Sequence, residues 1–289
     1  MDSSKTHVYY TVNQEFIDIA AVSAYSYLKF NDTPVYIYLV NCENLDKAKS
    51  TFAFDSRIHY KTLKVDVPQK VIYHQHWYKY RNEILAKYYV LDLINQDYDY
   101  GMHIDADVFF KKDIDFEKID MSGYDYAAVV NFDLFADIIP SFGLAIFKTE
   151  SSSVVDDLLK FMQTYYSQRL SSVNAKLTTL CSHGSDEIFA SVHYKSLKGI
   201  SSDHANKDFD YPATLCHMNG VFKPWAFNYN YISFLFTKEN IINRINGLKT
   251  WYKYMHEIKD YLDPEFVKKA DQTSIIYEKL LERYTRNKY

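Results

Sequence analysis

The 289-residue chain carries a formal net charge of −4, which makes nucleic acid an unexpected partner, and its 47% hydrophobic content suffices for a full core. Cys42, Cys181 and Cys216 are too few and too scattered for a disulfide framework or a Cys-rich zinc site, which points to a reducing compartment. The start lacks a basic leader, and no apolar run reaches the ~18 residues of a membrane span, so a cytoplasmic protein is expected.

In chain order, "HVYYTV" has the β-branched and aromatic content of a buried strand. "EFIDIAAVSAYSYLKF" follows with Phe16, Ile19, Ala20, Ser23 and Tyr27 at helical spacing, and "TPVYIYLVN" predicts a second strand. "IHYKTLKV" is a candidate third strand. "RNEILAKYYVLDLI" places Ile84, Tyr88, Leu91 and Ile94 on one helix face and leads into the strand "YGMHI". Beyond it, "YDYAAVVNF" and "FGLAIFK" read as strands. "SSSVVDDLLKFMQTYY" reads as a helix whose serines cap its N–H groups. "SDEIFASVHYKSL" predicts a shorter helix, and from about Pro264 the residues Phe266, Ala270, Tyr277, Leu281 and Tyr284 mark a final amphipathic one. Strands alternating with helices imply an α/β fold with a mainly parallel central sheet flanked by helices. No repeat or linker divides the chain, so one domain over residues 1–245 with a helical extension over 246–289 is expected.

Two stretches carry chemistry. In "MHIDADVFF", Asp105 and Asp107 stand one residue apart where the strand "YGMHI" ends, and ligands of open α/β sheets bind beyond the carboxyl ends of strands. Two carboxylates this close need a counter-charge, which a divalent cation supplies. The same spacing recurs at Asp97/Asp99, Asp113/Asp115 and Asp208/Asp210, but in polar, turn-like surroundings where aspartate is ordinary turn chemistry. In "CHMNGVFKPW", His217 can ligate a metal, Gly220 permits close approach of the backbone to a bulky anion, and Lys223 beside Pro224 and Trp225 offers a point charge for phosphate.

Together these stretches resemble glycosyltransferase family 8, retaining enzymes in which a D-x-D pair and the His of H-x-x-G-x-x-K-P-W ligate Mn2+ on a UDP-sugar. The resemblance runs over most of residues 7–225 and implies a GT-A-type nucleotide-sugar-binding domain. It implies metal ligation by Asp105, Asp107 and His217, with Mn2+ as the ion or Mg2+ in its place. Lys223 and Gly220 would stabilise the departing diphosphate. "VYYTVNQEFIDIAAVSAYS" looks like the family's first strand and helix, so Thr11, Val12, Asn13 and Phe16 would line the uridine pocket. Lys87 would lie over the sugar phosphate, and Ala106 between the two aspartates would contact the nucleotide. "SFGLAIFK" is similar to the family's N-x-G strand, with Ser141 in place of Asn, and Ser141 and Phe142 would border the donor sugar.

The family's D-Q-D segment is matched loosely by "GSDEIFAS". In the favoured register Asp186 takes the first Asp and Glu187 the Gln; in the other, Asp186 takes the Gln and Glu187 the second Asp. Either places a carboxylate near the anomeric carbon, so Asp186 and Glu187 join Lys223 as the catalytic candidates. The implied function is transfer of a hexose from a UDP-sugar to a saccharide or glycoconjugate acceptor, as in polysaccharide or lipopolysaccharide biosynthesis. An inverting GT-A-type transferase and a nucleotide-sugar-binding pseudoenzyme are the alternatives. A nucleotidyltransferase is disfavoured because "VYYTVNQEF" contains no glycine for a phosphate loop. The basic tail "RYTRNKY" supports at most weak peripheral contact with the inner membrane face.

Overall fold

The computed structural model describes residues 1–43, 45–66, 81–132, 138–149, 153–169, 189–190, 193–194, 196–200, 205–206, 214–218, 222–227 and 237–286. At its centre is a seven-stranded sheet. Strand β1 (Thr6–Val12) is followed by α1 (Ile17–Leu28), β2 (Val35–Val40), α2 (Asp46–Thr51), β3 (Ile58–Leu63), α3 (Arg81–Ile94) and β4 (Tyr100–Ile104). Next come the short β5 (Val108–Phe110), then β6 (Tyr126–Phe132), β7 (Ile138–Lys148), α4 (Val154–Arg169) and β8 (Leu197–Ile200). The sheet order is β3-β2-β1-β4-β7-β6-β8. Strand β7 runs antiparallel to both neighbours while the remaining pairings are parallel, which is the mainly parallel α/β architecture the alternating pattern predicts.

Side chains alternate across this sheet and build two cores. Val8, Tyr10 and Val12 of β1 face α1 with Ile37, Leu39, Met102 and Ile104, whereas Tyr9 faces α3 with Tyr38, Leu85, Tyr88 and Leu91. Helix α1 is buried along nearly its whole length, and its small residues Ala20, Ala21, Ser23 and Ala24 let it lie close to its neighbours. It begins later than the sequence pattern predicts, because Asn13 accepts from Glu15 N at 3.0 Å and caps a 3-10 turn over Gln14–Phe16 first.

Two helices close the chain, α5 (Lys238–Glu257) and α6 (Pro264–Arg286). Residue 245, the expected domain boundary, lies within α5, and Leu248, Trp251 and Met255 of that helix join the same core as α1. Buried Asp18 on α1 accepts from Asp263 N at 2.9 Å, at the start of α6, and also pairs with Lys47 of α2. No helix among the described residues is long and apolar enough to cross a membrane. The helix expected over "SDEIFASVHYKSL" falls largely outside the described residues, as do His74 and His76.

Candidate metal and nucleotide site

The acidic pair sits in a tight turn. Strand β4 delivers the chain to Ile104, Asp105 N donates to Gly143 O of β7 at 3.0 Å, and Val108 N returns to Asp105 O at 3.2 Å. Strand β5 then pairs antiparallel with β10 (Leu215–His217), with His217 opposite Val108, and β10 in turn pairs with β9 (Ala205–Asn206). Met218 N donates to Asp107 O at 2.8 Å. A ladder of backbone hydrogen bonds thus carries His217 to the aspartates across more than a hundred residues of sequence.

His217 Nε2 lies 3.2 Å from Asp107 Oδ1 and 3.7 Å from Asp105 Oδ2. Asp105, Asp107 and His217 each offer a ligand atom within 4.8 Å of the others, which makes them a possible metal-binding group. The chemistry of this donor set fits a borderline divalent ion: two hard carboxylates and one imidazole.

Lys223 completes the cluster. It lies in a hairpin of β11 (Phe222–Lys223) and β12 (Ala226–Phe227), turned at Pro224 and Trp225. Its Nζ contacts Asp107 Oδ2 and lies 5.6 Å from the Trp225 ring centroid. Burial alone would raise the Asp107 carboxyl, but Lys223 and His217 outweigh it and hold the group far below the usual carboxylate range. The hairpin is anchored from behind. Tyr277 of α6 donates to Lys223 O at 3.2 Å, and Tyr252 of α5 donates to Pro224 O at 3.0 Å. The C-terminal helices therefore set the backbone from which the cation projects.

The expected nucleotide contacts distribute unevenly. Thr11, Val12 and Asn13 stand at the carboxyl end of β1, beside β4 and hence beside the acidic turn. Asn13 Nδ2 donates to Glu83 Oε1 at 2.9 Å, which ties this strand end to α3. Phe16 is half-buried against the core, and Ala106 is half-buried between the aspartates. Lys87 is buried within α3 rather than standing at the surface, and burial, with a smaller contribution from the Lys87 cation, holds the neighbouring His103 well below its ordinary range. Ser141 lies on β7 in register with Val129, at a bulge between Ala128 and Val129. The side chains of Ser141 and Phe142, and the whole of Asp186, Glu187 and Gly220, lie outside the described residues.

Three contributors escape the sequence pattern. Glu83 is one turn into a helix read only for its apolar face. His103 sits two residues before Asp105 on an otherwise apolar strand. Gly143 gives His217 its place, and the N-x-G-like stretch was the available signal for it.

No protein-family model matches the chain, and no curated protein matches it in sequence. Solved structures do match. The galactosyltransferase LgtC, solved in complex with donor and acceptor sugar analogs, superposes with a TM-score of 0.61 at 10% identity, over 91% of this chain and 99% of LgtC. The glycosyltransferase GlyE of Streptococcus pneumoniae TIGR4 gives 0.52 at 15% identity, over 93% of this chain and 63% of GlyE. Mouse xyloside xylosyltransferase 1 gives 0.51 at 12% identity, over 74% of this chain and 97% of that one. The chain has the GT-A fold of these glycosyltransferases.

Proposed function

We propose that the chain is a metal-dependent glycosyltransferase that moves a hexose from a UDP-sugar to a saccharide or glycoconjugate acceptor with retention at the anomeric carbon. The observation that carries this reading is the Asp105–Asp107–His217 cluster with Lys223 on Asp107, on a fold shared with sugar transferases.

Breaking the glycosyl–phosphate bond builds negative charge on the leaving diphosphate and positive charge on the sugar ring. Mn2+, or Mg2+ in its place, held by Asp105, Asp107 and His217 would supply Lewis-acid stabilisation of that diphosphate. Lys223 adds a fixed positive charge from the hairpin, and the Gly220 amide adds a donor. A neutral imidazole as third ligand leaves the site more cationic than a third carboxylate would. Thr11, Val12, Asn13 and Phe16 hold the uridine, Ala106 flanks the nucleotide, Lys87 lends its charge from its buried place in α3 rather than by flanking it, and Ser141 and Phe142 border the sugar. Asp186 holds sugar hydroxyls and Glu187 faces the ring as its positive charge develops.

UDP release from UDP-glucose, UDP-galactose and their N-acetyl counterparts with Mn2+ tests the proposal, alongside Asp107→Asn and His217→Ala. The expected result is metal-dependent release that falls about 100-fold or more in both variants, each still folded by circular dichroism. Wild-type rates in both variants at saturating metal would remove the site assignment. An inverted anomer by NMR would replace the retaining mechanism and leave the transferase.

A further inference from the structure

We infer that His103 is a positioning residue, which orients Asp105 for the cation by holding one of its two carboxylate oxygens; the inference rests on the metal site proposed above. His103 lies on β4 with a side chain 3% exposed, so its ring nitrogens must be satisfied from within the protein. Nε2 is 3.1 Å from Thr11 Oγ1. Nδ1 is buried with no hydrogen-bond partner in this arrangement, and it faces Asp105 Oδ1 at 3.7 Å.

The single hydroxyl hydrogen of Thr11 has two acceptors at 3.1 Å, the Glu83 carbonyl and His103 Nε2. Were it given to Glu83, the ring hydrogen would sit on Nε2 and Nδ1 would turn a lone pair toward a carboxylate, acceptor against acceptor. The charge on Asp105 selects the other arrangement: Thr11 donates to Nε2, and the Nδ1–H group points at Asp105 Oδ1.

The remaining gap is closed by a small rotation of the Asp105 carboxylate. Its two oxygens already divide between two histidines, Oδ1 toward His103 and Oδ2 toward His217 Nε2, each at 3.7 Å. With Oδ1 held by the buried ring, Oδ2 is the oxygen turned to the site shared with His217 and Asp107. Outer hydrogen bonds of this kind fix the orientation of a ligand and are worth ~10–100-fold in metal affinity. The strand end supplies the geometry, because Asp105 directly follows the last residue of β4, two positions beyond His103, and its N–H still pairs with Gly143 O of β7.

The experiment is a Mn2+ titration by calorimetry at saturating UDP on the full chain and on His103→Asn, His103→Gln and His103→Phe. Asparagine places an amide N–H near the former Nδ1, glutamine places its amide near the former Nε2, and phenylalanine keeps the ring shape alone. The phenylalanine and glutamine variants are expected to bind Mn2+ ~10–100-fold more weakly, and the asparagine variant to recover most of the affinity. Glutamine equal to wild type, or asparagine as weak as phenylalanine, overturns the positioning role. Should His103→Phe fail to fold, the asparagine–glutamine difference still decides. If the unaltered chain binds no Mn2+, it is the metal-site reading that fails, and the two failures are distinguishable.

Discussion

A Cβ atom built at Gly143 would lie 2.4 Å from His217 Nδ1 and 2.5 Å from its Cγ, so any side chain there must displace the imidazole or the strand that carries it. The strand is pinned by its pairing with β4, which leaves the ring to move. Gly143→Ala is therefore expected to weaken Mn2+ binding by at least ~10-fold, with a stability cost of about 1–3 kcal/mol from overpacking. Gly123 provides the control. Its φ of 77° lies in the left-handed region and nothing stands within 4 Å of its Cβ position, so Gly123→Ala should cost about 1 kcal/mol and leave metal binding unchanged. Calorimetric titration of both variants checks the pair, and equal Mn2+ affinity in the two would remove the steric argument. Residues of the site divide by the kind of signal they leave. Asp105 and Asp107 announce themselves by standing where a strand surfaces, and His217 and Lys223 by a motif with fixed spacing. Gly143 acts through a contact between strands and is signalled only by the N-x-G-like stretch around it, whereas His103 acts through such a contact with no spacing to read.

Helix α4 shows the same division among elements. The serines before it predict a hydroxyl cap, and Ser153 Oγ does accept from Asp156 N at 3.2 Å. The stronger cap comes from another helix. Asp92 in the last turn of α3 accepts from Val154 N at 2.7 Å, from Val155 N at 3.2 Å and from the Ser153 hydroxyl at 2.7 Å. A carboxylate there opposes the dipole of its own helix, and what offsets this is the positive end of α4 docked against it. Asp92→Ala is expected to lower stability by about 1–2 kcal/mol, with Ser153→Ala costing less, as urea unfolding would measure. An order reversed between the two would mean the local serine is the principal cap. Elements with several turns or a long apolar run, such as α3, β1, β2 and β4, are legible because their periodicity repeats. Strands β5 and β9 to β12 span two or three residues, too few for any period, and exist through the pairings that build the site.

Across the whole molecule, one sheet divides two cores with different polarity. The α1 side continues into Trp251 and Tyr277 of the C-terminal helices, which is why those helices can hold the Lys223 hairpin. The α3 side contains an aromatic and imidazole cluster around His7, which the sequence shows only as the first residues of an apolar strand. His7 is 2% exposed, its Nε2 lies 3.0 Å from Tyr38 Oη, and its ring stacks on Tyr36 at 4.1 Å, with Tyr9 and Tyr98 around it. Burial, with a smaller contribution from the Lys61 cation, pushes its pKa down from 6.5 to about 3. The folded protein therefore refuses a proton that the unfolded chain accepts between these two values. With more protons bound in the unfolded state, stability falls as pH falls through that window, by up to about 1.4 kcal/mol per pH unit, and is unaffected above it. His7→Phe keeps a stacking ring and removes the titrating group, at the loss of the Tyr38 hydrogen bond. The variant is expected to start less stable at pH 7 and to lose stability less steeply toward pH 4. Urea unfolding of both proteins at pH 7, 6, 5 and 4 measures the two slopes, and parallel slopes would assign the acid sensitivity to other groups.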